Sequence, residues 1–441
     1  MLERLFHLRA AGSTPGREML GGLTTFLTMA YILAVNPVFL TAAGMPLEGA
    51  IVATCLASAF ATLLMAFAAN YPIALAPGMG MNAFFAYGVC LGAKVPWQTA
   101  LGLVFWAGIL FVLLTVTGAR RVLVEAVPRG IQLAGAVGIG LFIAFIGLQH
   151  GGLIKADPNT MVTLGDLGSP PALVTLFGVA VTLILMASGV ATALFWGLAA
   201  TLIAALVTGV VAPPASLVSV PSLALPGLQI DILGALRLEY VPLLLVILFF
   251  ALFDTLGTLM GIAHEAGFLR DGELPRIGRA LAADAGGMVA GALFGTSPVT
   301  SYIESGAGVA VGARTGLASL TTGVLLLSGL FLTPLVALVG QSSDSSNGGQ
   351  LNPVTAPALI LVGTLMVKAV REIDWTDTTE AAPAFFTALL MPLTFNISHG
   401  LAAGIVVYVL VKLAARRGRE VHWLMYALAV LFILRYALLP A

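Results

Sequence analysis

The chain alternates long apolar runs with short polar or glycine- and proline-rich stretches. Residues 241–251, for example, are apolar on every helical face, which is typical of a helix in contact with lipid or with other helices. A span needs about 20 apolar residues. On that measure the sequence predicts fourteen spans, at 19–40, 49–69, 72–91, 98–118, 130–149, 171–190, 192–211, 240–263, 279–296, 299–313, 315–338, 355–371, 379–395 and 397–414.

Polar residues interrupt the third and the tenth of these spans. The first interruption is APGMGMNAFF, Ala76–Phe85, and the second is GTSPVTSYIES, Gly295–Ser305. Interrupted spans at corresponding positions of two halves indicate the substrate site of a secondary transporter. The first turn of a helix carries free N–H groups with positive partial charge. We therefore expect backbone donors to a ligand at Gly80, Met81, Ser301 and Tyr302.

The predicted spans fall into two halves of seven. A proline-rich connector, 212–239, separates them, and a polar stretch at 339–354 predicts an exposed, mobile outer loop. An odd number of spans per half inverts the second half relative to the first, which is the geometry of an inverted repeat.

Basic residues predict the orientation in the membrane, because Lys and Arg in short loops favour the cytoplasm. The N-terminal segment 1–18 is polar and basic, without a cleavable signal pattern, and we expect it on the cytoplasmic side. With this orientation, the predicted spans place the following basic residues on the cytoplasmic side: Arg4, Arg9, Arg17, Arg120, Arg121, Arg129, Arg270, Arg276, Arg279, Arg314, Lys368, Arg371, Lys412, Arg416, Arg417 and Arg419. The outer side keeps Lys94, Lys155 and Arg237.

The C-terminal hydrophobic segment, 415–441, fits this count poorly. Residues 421–440 are numerous enough to span, but a further crossing would place the C-terminus outside. We expect a helix that packs against the bundle or lies in the interface.

Composition excludes several classes of protein. The chain is 59% hydrophobic and 9% charged, with a mean hydropathy of +1.04, whereas soluble domains carry about 25% charged residues. A formal net charge of zero gives no reason to expect nucleic acid as a partner. Cys55 and Cys90 stand alone in apolar segments, so neither a metal site nor a cofactor is predicted. No nucleotide-binding loop or nucleophile motif indicates an enzyme or an ATP-driven pump.

Three of the carboxylates within the predicted spans are candidates for chemistry. A charged group at that depth is costly and usually faces a cavity, which makes Glu304 a site candidate; a buried ion pair with Arg314 is the alternative. Asp254 has no basic residue one helical turn away, so it is a candidate proton carrier and ligand contact. For Asp284, structural pairing and proton coupling stay equally open.

Other polar and aromatic residues near the interruptions have two interpretations each. Asn82 is placed to contact a ligand or to bond another helix. Phe84 is placed to stack on a flat ligand or simply to pack. Thr25 occupies the first-half position that corresponds roughly to Asp254, or bonds back to its own helix.

At these residues the sequence resembles the nucleobase–ascorbate transporter family, and in particular its AzgA-like guanine/hypoxanthine/adenine permeases. Four motifs carry the resemblance in the expected order: GLTTFLTMAYILAVNP at 22–37, APGMGMNAFF at 76–85, LFDTLGT at 252–258 and GTSPVTSYIES at 295–305. Together they extend over most of the chain.

The resemblance implies an all-α polytopic membrane protein of fourteen spans in two inverted repeats of seven. Short strands are implied before the broken helices of spans 3 and 10, near 73–76 and 297–300. A core domain would comprise 19–118 and 240–338, and a gate domain 119–211 and 355–414. Asp254, Glu304 and Asn82 match substrate-site positions of the family, and family analogy suggests a homodimer. Ser305, at the end of the fourth motif, is a further candidate for substrate contact.

The function implied is proton-coupled import of a purine base across the cell membrane, by movement of the core against the gate. Related uracil and xanthine carriers have Glu in span 8, and the shorter Asp254 leaves room for a larger base. Two alternatives stay open. One is another solute on the same fold, such as an anion, although two carboxylates and no Arg in the site argue against it. The other is a channel or a non-transporting membrane scaffold.

Overall fold

The computed structural model describes residues 2–118, 126–214, 216–221, 224–269, 274–344 and 350–438. Arg120, Arg121 and Arg270, which contribute to the predicted orientation, lie outside these residues. The helices of the first half are α1 Leu2–Phe6, α2 Pro15–Met29, α3 Ile32–Ala42, α4 Leu47–Ala68, α5 Met79–Ala83, α6 Trp97–Thr117, α7 Arg129–His150, α8 Pro170–Ala187 and α9 Ala193–Val207. A π-helix, Phe84–Gly92, continues α5.

The second half has a similar series of helices. They are α10 Val241–Glu265, α11 Ile277–Phe294, α12 Ser305–Ala310, α13 Gly316–Ser328, α14 Thr333–Val339, α15 Ala356–Val367, α16 Thr378–Leu393, α17 Ile397–Ala414 and α18 Trp423–Leu438. Short 3₁₀ turns occupy Pro226–Gln229, Gly234–Leu236, Leu238–Tyr240, Lys368–Glu372 and Gly418–Glu420.

In the described part of the chain, six short strands form three antiparallel pairs. The strands are β1 Leu75–Pro77, β2 Ile154–Asp157, β3 Met161–Leu164, β4 Val299–Ser301, β5 Ser343–Asp344 and β6 Gln350–Leu351. β1 pairs with β4 in the register Leu75↔Ser301, Ala76↔Thr300 and Pro77↔Val299. The strands before the broken helices therefore exist, one to two residues later than predicted. β2–β3 and β5–β6 are hairpins in surface loops that the sequence did not predict.

Many of the helices are long and apolar enough to cross a membrane. Within the described residues eight helical stretches meet that requirement, or nine if α13 and α14 count as one bent span. Predicted span 11, 315–338, is not continuous, because α13 and α14 meet at an angle of 85°. Pro334 lies in the first turn of α14, and without an N–H it cannot continue the hydrogen-bond ladder of α13.

The helices pack in two groups. In the first, α11 packs against α4 and α6, and α13 packs against α2 and α4. In the second, α7 packs against α15 and α16, and α16 packs against α17. We call these the first and second helix groups; the first also contains α3, α10 and α12, and the second also contains α8 and α9.

The loop predicted to be exposed and mobile at 339–354 is partly fixed to the fold. Asn352 is buried and its side-chain amide donates to the Gly340 carbonyl at 3.1 Å. Val354 has no exposed surface. Residues 345–349 lie outside the described part of the chain.

The C-terminal helix α18 packs against α17, burying Met425, Leu428 and Phe432. Contact with the bundle was one of the two expected arrangements. A buried cluster lies at the junction, where the Lys412 ammonium is 2.9 Å from Glu380 and 3.0 Å from Glu420. The Arg417 guanidinium and then the Lys412 ammonium lower the pKa of Glu420 to about 2. The cluster therefore stays ionised at neutral pH and fixes the start of α18 to the second helix group.

Replacing Lys412 by Met should destabilise the protein by about 1–3 kcal/mol, because its buried ammonium is the ion-pair partner of Glu380 and its loss leaves this carboxylate unsatisfied. Glu420 keeps the Arg417 guanidinium as a partner. Thermal unfolding in detergent measures the loss. Arg419→Met removes an exposed charge from the same segment and should change stability by less than about 0.5 kcal/mol. Equal melting temperatures for the two variants would contradict the role given to Lys412.

Candidate functional site

The two interruptions predicted from the sequence lie against each other. Besides the β1–β4 ladder, the Gly78 N–H donates to the Pro298 carbonyl at 3.0 Å, and the Tyr302 N–H donates to the Ala74 carbonyl at 2.9 Å. The Tyr302 hydroxyl donates to the Pro77 carbonyl at 2.5 Å. Irregular backbone inside a membrane protein must be satisfied by protein groups or by water. Each interruption here supplies partners to the other.

Asp284, on α11, accepts three hydrogen bonds and has no exposed surface. Its Oδ1 accepts from the Thr255 hydroxyl at 2.8 Å. Its Oδ2 accepts from the Ser301 N–H at 2.8 Å and the Ser301 hydroxyl at 2.7 Å. This carboxylate fixes the end of β4 to α10 and α11, a geometry that favours structural pairing over proton coupling for Asp284.

The predicted backbone donors are only partly available. The N–H groups of Ser301 and Tyr302 already donate to Asp284 and Ala74, so both are engaged by the protein in this structure, and their role as ligand donors stays a prediction. The interruption in span 10 forms a strand at these residues rather than a helix start. Gly80 and Met81 lie in the first turn of α5, where N–H groups have no acceptor within the helix. Their role as donors stays a prediction.

Asn82 belongs to a buried polar network. Its Oδ1 accepts from the Ser297 hydroxyl at 2.7 Å, and Ser297 also donates to Asn36 Oδ1 at 2.9 Å. The Asn36 side-chain amide donates in turn to Thr54 and Thr296. Asn82 has no exposed surface. The bond joins α5 to the second interruption rather than to another helix, and ligand contact by Asn82 stays a prediction.

Three other predicted site residues are buried in packing contacts. Phe84 has no exposed surface and lies against Gly88 one turn later. The Ser305 hydroxyl accepts from the Ala74 N–H at 3.0 Å. Thr25 is 3% exposed and contacts Gly308 of α12, where an added Cβ would lie 2.2 Å from its hydroxyl. These residues support the site from behind in this conformation, and ligand contact by them stays a prediction.

Glu304 precedes α12 and borders a cavity. Its Oε1 accepts from the Tyr31 hydroxyl at 2.6 Å, and its carbonyl accepts from the Thr28 hydroxyl at 3.3 Å. The predicted alternative, an ion pair with Arg314, is absent among the described residues. The Arg314 guanidinium instead donates to the Val309 and Ala313 carbonyls at 2.7 Å, near the end of α12.

Asp254 has an exposed side chain on α10. Its Oδ2 lies close to Gly78, 3.5 Å from the position that a Cβ there would take. It also interacts with the Thr300 hydroxyl and with the Glu304 charge. Asp254 and Glu304 thus approach the paired interruptions from different elements, and both carboxylates have accessible surface.

Two cavities lie between the helix groups. One, of about 330 Å³, is lined by Thr28, Glu304 and Ala307 of the first group and, from the second, by Met186, Gly189, Val190, Ala191, Ala193, Leu194 and Leu365. The other, of about 560 Å³, contains Tyr87 and His150 in its lining. Tyr87 is in the π-helix and His150 ends α7, and their side chains are 3.1 Å apart.

The predicted third span comes very close to the second helix group. A Cβ at Gly80 would lie 2.4 Å from the Ile139 side chain of α7, so this close approach requires glycine. A Cβ at Gly88 would lie 3.4 Å from the Asn396 side chain, an ordinary contact, and 2.5 Å from the Phe84 ring of its own segment.

Tyr31 and Thr28 are site residues that the sequence interpretation missed, although both lie in the quoted motif 22–37. Thr255 and Thr300, whose hydroxyls are 3.1 Å apart beside Asp284, were missed as well. The sequence did contain a signal for Thr28 and Tyr31, since they are hydroxyl residues three apart on one face of an otherwise apolar span. It could not identify Glu304 as their partner, because that contact crosses 273 residues of sequence.

Asp284→Asn should lower stability by about 1–3 kcal/mol, because an amide turns a donor towards the Thr255 or Ser301 donors and leaves buried groups unsatisfied. Thermal unfolding without ligand measures it. Asp254→Asn, on an exposed side chain, serves as the control and should change stability by less than about 0.5 kcal/mol. An Asp284→Asn protein as stable as the wild type would favour proton coupling for Asp284 after all.

Comparisons with known proteins agree with the motifs. The model of the Permease family (Xan_ur_permease) matches residues 16–403. A guanine/hypoxanthine permease of Bacillus subtilis is 44% identical over 99% of this chain and 100% of its own length. An adenine permease of Escherichia coli is 38% identical over 100% of this chain and 97% of its own.

Among solved structures, the transmembrane domain of a cyanobacterial bicarbonate transporter has the same fold. Its TM-score is 0.64 at 16% identity, covering 88% of this chain and 97% of that domain. The family expected from the motifs is confirmed: the chain is a multi-pass integral membrane protein of the Permease family, a transporter and not an enzyme.

Proposed function

We propose that the protein is a proton-coupled importer of purine nucleobases. The observation that carries the proposal is the accessible Glu304 carboxylate in a small, otherwise largely apolar cavity between the two helix groups. Relatives that match over their full length are named for guanine, hypoxanthine and adenine. A purine has a flat apolar ring and N–H donors at its edge, and a carboxylate is an acceptor for such donors.

The size and charge of the cavity favour a neutral base over an anion. Its volume of about 330 Å³ lies at the small end of the roughly 300–1,000 Å³ range of small-molecule sites. Its lining contains Glu304 and no Lys or Arg, whereas anion sites are usually built from cations or free N–H groups. The bicarbonate transporter shares the fold alone.

Transport is by movement of a core domain against a gate domain. The first helix group corresponds to the predicted core, 19–118 and 240–338, and the second to the predicted gate, 119–211 and 355–414. The cavities lie between these groups, one at Glu304 and one at Tyr87 and His150. A core that moves must break the Tyr87–His150 contact and repack the glycine-rich face of the π-helix.

The chain crosses the membrane fourteen times, with its N-terminus in the cytoplasm. The β1–α5 and β4–α12 units support this count, since each combines a short strand with a short helix and the strands pair antiparallel. Two copies of one unit in opposite orientation give that arrangement. The broken spans 3, 10 and 11 are crossings too irregular to be recognised by helix length.

Uptake of radiolabelled hypoxanthine, guanine and adenine into cells without their own purine permeases tests the proposal. Saturable uptake that unlabelled purines compete for is expected, and it would separate a carrier from a channel or scaffold. Glu304→Gln should abolish uptake while the protein remains folded in the membrane, because an amide places donors opposite the N–H groups of the base. Normal uptake by this variant would show that Glu304 is not part of the substrate site.

Asp254 carries the proton in this proposal, since its accessible carboxylate lies beside Glu304 and the paired interruptions. In proteoliposomes, Asp254→Asn should retain exchange of labelled for unlabelled purine but lose accumulation driven by a pH gradient. Accumulation equal to that of the wild type would exclude Asp254 as the coupling group. Wild-type uptake that does not respond to an uncoupler would exclude proton coupling itself.

A further inference from the structure

We propose that Tyr31 is a positioning residue that orients the Glu304 carboxylate for the ligand, an inference that rests on the proposed function. Its hydroxyl is 2.6 Å from Glu304 Oε1. A hydroxyl that donates to a carboxylate at this distance makes one of the stronger hydrogen bonds in proteins. The bond occupies one carboxylate oxygen and leaves Oε2 as the principal acceptor for a ligand.

Glu304 needs such a partner because its own element holds it weakly. It immediately precedes α12, which has 6 residues, and the neighbouring Ile303 is 55% exposed. The side chain has several rotatable bonds, and holding one rotamer costs entropy. An external donor that fixes the carboxylate removes that cost from ligand binding.

Span 1 is shaped to supply this donor. Between α2 and α3 the backbone tightens, with the Leu33 N–H donating to the Ala30 carbonyl and the Ala34 N–H to the Tyr31 carbonyl. Upstream of this turn, Thr28 lies in α2 and the backbone of Ala30 and Tyr31 is still right-handed helical, so side chains three apart lie on the same face. Tyr31 donates to the Glu304 carboxylate, and the Thr28 hydroxyl lies 3.3 Å from the Glu304 carbonyl.

Burial distinguishes the role of Tyr31 from that of a ligand contact. Tyr31 is 1% exposed and does not line the cavity, whereas Glu304 and Thr28 do. Tyr31 therefore acts through Glu304. Its removal should weaken binding of every purine without changing the step in which the loaded core moves.

The test is the kinetics of hypoxanthine uptake by purified protein in proteoliposomes. Tyr31→Phe should raise KM about 10- to 100-fold, the effect of losing a hydrogen bond to a charged group, with Vmax within about twofold of wild type. The matched control is Tyr408→Phe, which removes the hydroxyl of another buried tyrosine, on α17 and outside the site; its KM should equal that of wild type.

A second variant covers the case in which Tyr31→Phe does not fold. Thr28→Val keeps the side-chain shape and removes a hydroxyl that lines the cavity, donates to the Thr25 carbonyl at 2.8 Å and lies 3.3 Å from the Glu304 carbonyl; it should raise KM about 2- to 10-fold. An unchanged KM in Tyr31→Phe would overturn the inference while leaving the proposed function intact. A 10- to 100-fold fall of Vmax at constant KM would overturn it in the same way. If the wild type itself takes up no purine, the proposed function is overturned and this inference with it.

Discussion

The fold depends on one constraint: backbone N–H and C=O groups cannot remain unsatisfied in a hydrocarbon medium. A site for a polar solute near the centre of a membrane requires irregular backbone there, which creates such groups. Here the two irregular stretches satisfy one another through the three-residue β1–β4 ladder. The Ala74 carbonyl, the Asp284 carboxylate and the Ser305 hydroxyl then bond the groups at the ends of the ladder.

The pairing of the two interruptions reduces the number of N–H donors that remain available to a ligand. Because the ladder and Asp284 consume the donors of Ser301 and Tyr302, the accessible polar groups at the interruptions are mainly acceptors, on Asp254 and Glu304. An excess of acceptors over donors favours a neutral ligand rich in N–H groups over an anion, in agreement with the proposed function. The same fold in the bicarbonate transporter thus need not indicate the same ligand, since the side chains at the breaks decide the chemistry.

Much of the fold could be predicted from apolar run length and from the motifs, including both strands and the acidic residues at the site. Those features are local or follow from the cost of burying charge. The uses of Asn82 and Ser301 could not be predicted, because each depends on a partner from another part of the chain. Asn82 bonds Ser297 across 215 residues. A polar residue in a broken span looks the same in sequence whether it faces a ligand or another helix.

The close approach of Gly80 to the Ile139 side chain has a consequence for the kinetics of the proposed transport cycle. At this position one surface presents backbone instead of a side chain, so no side chain has to leave a pocket before the two surfaces slide. Contacts that must still break in the proposed movement include aromatic edges, such as Tyr87 against Phe142 and Phe395. In that cycle the smoothness of this boundary affects the turnover number separately from how tightly the ligand binds.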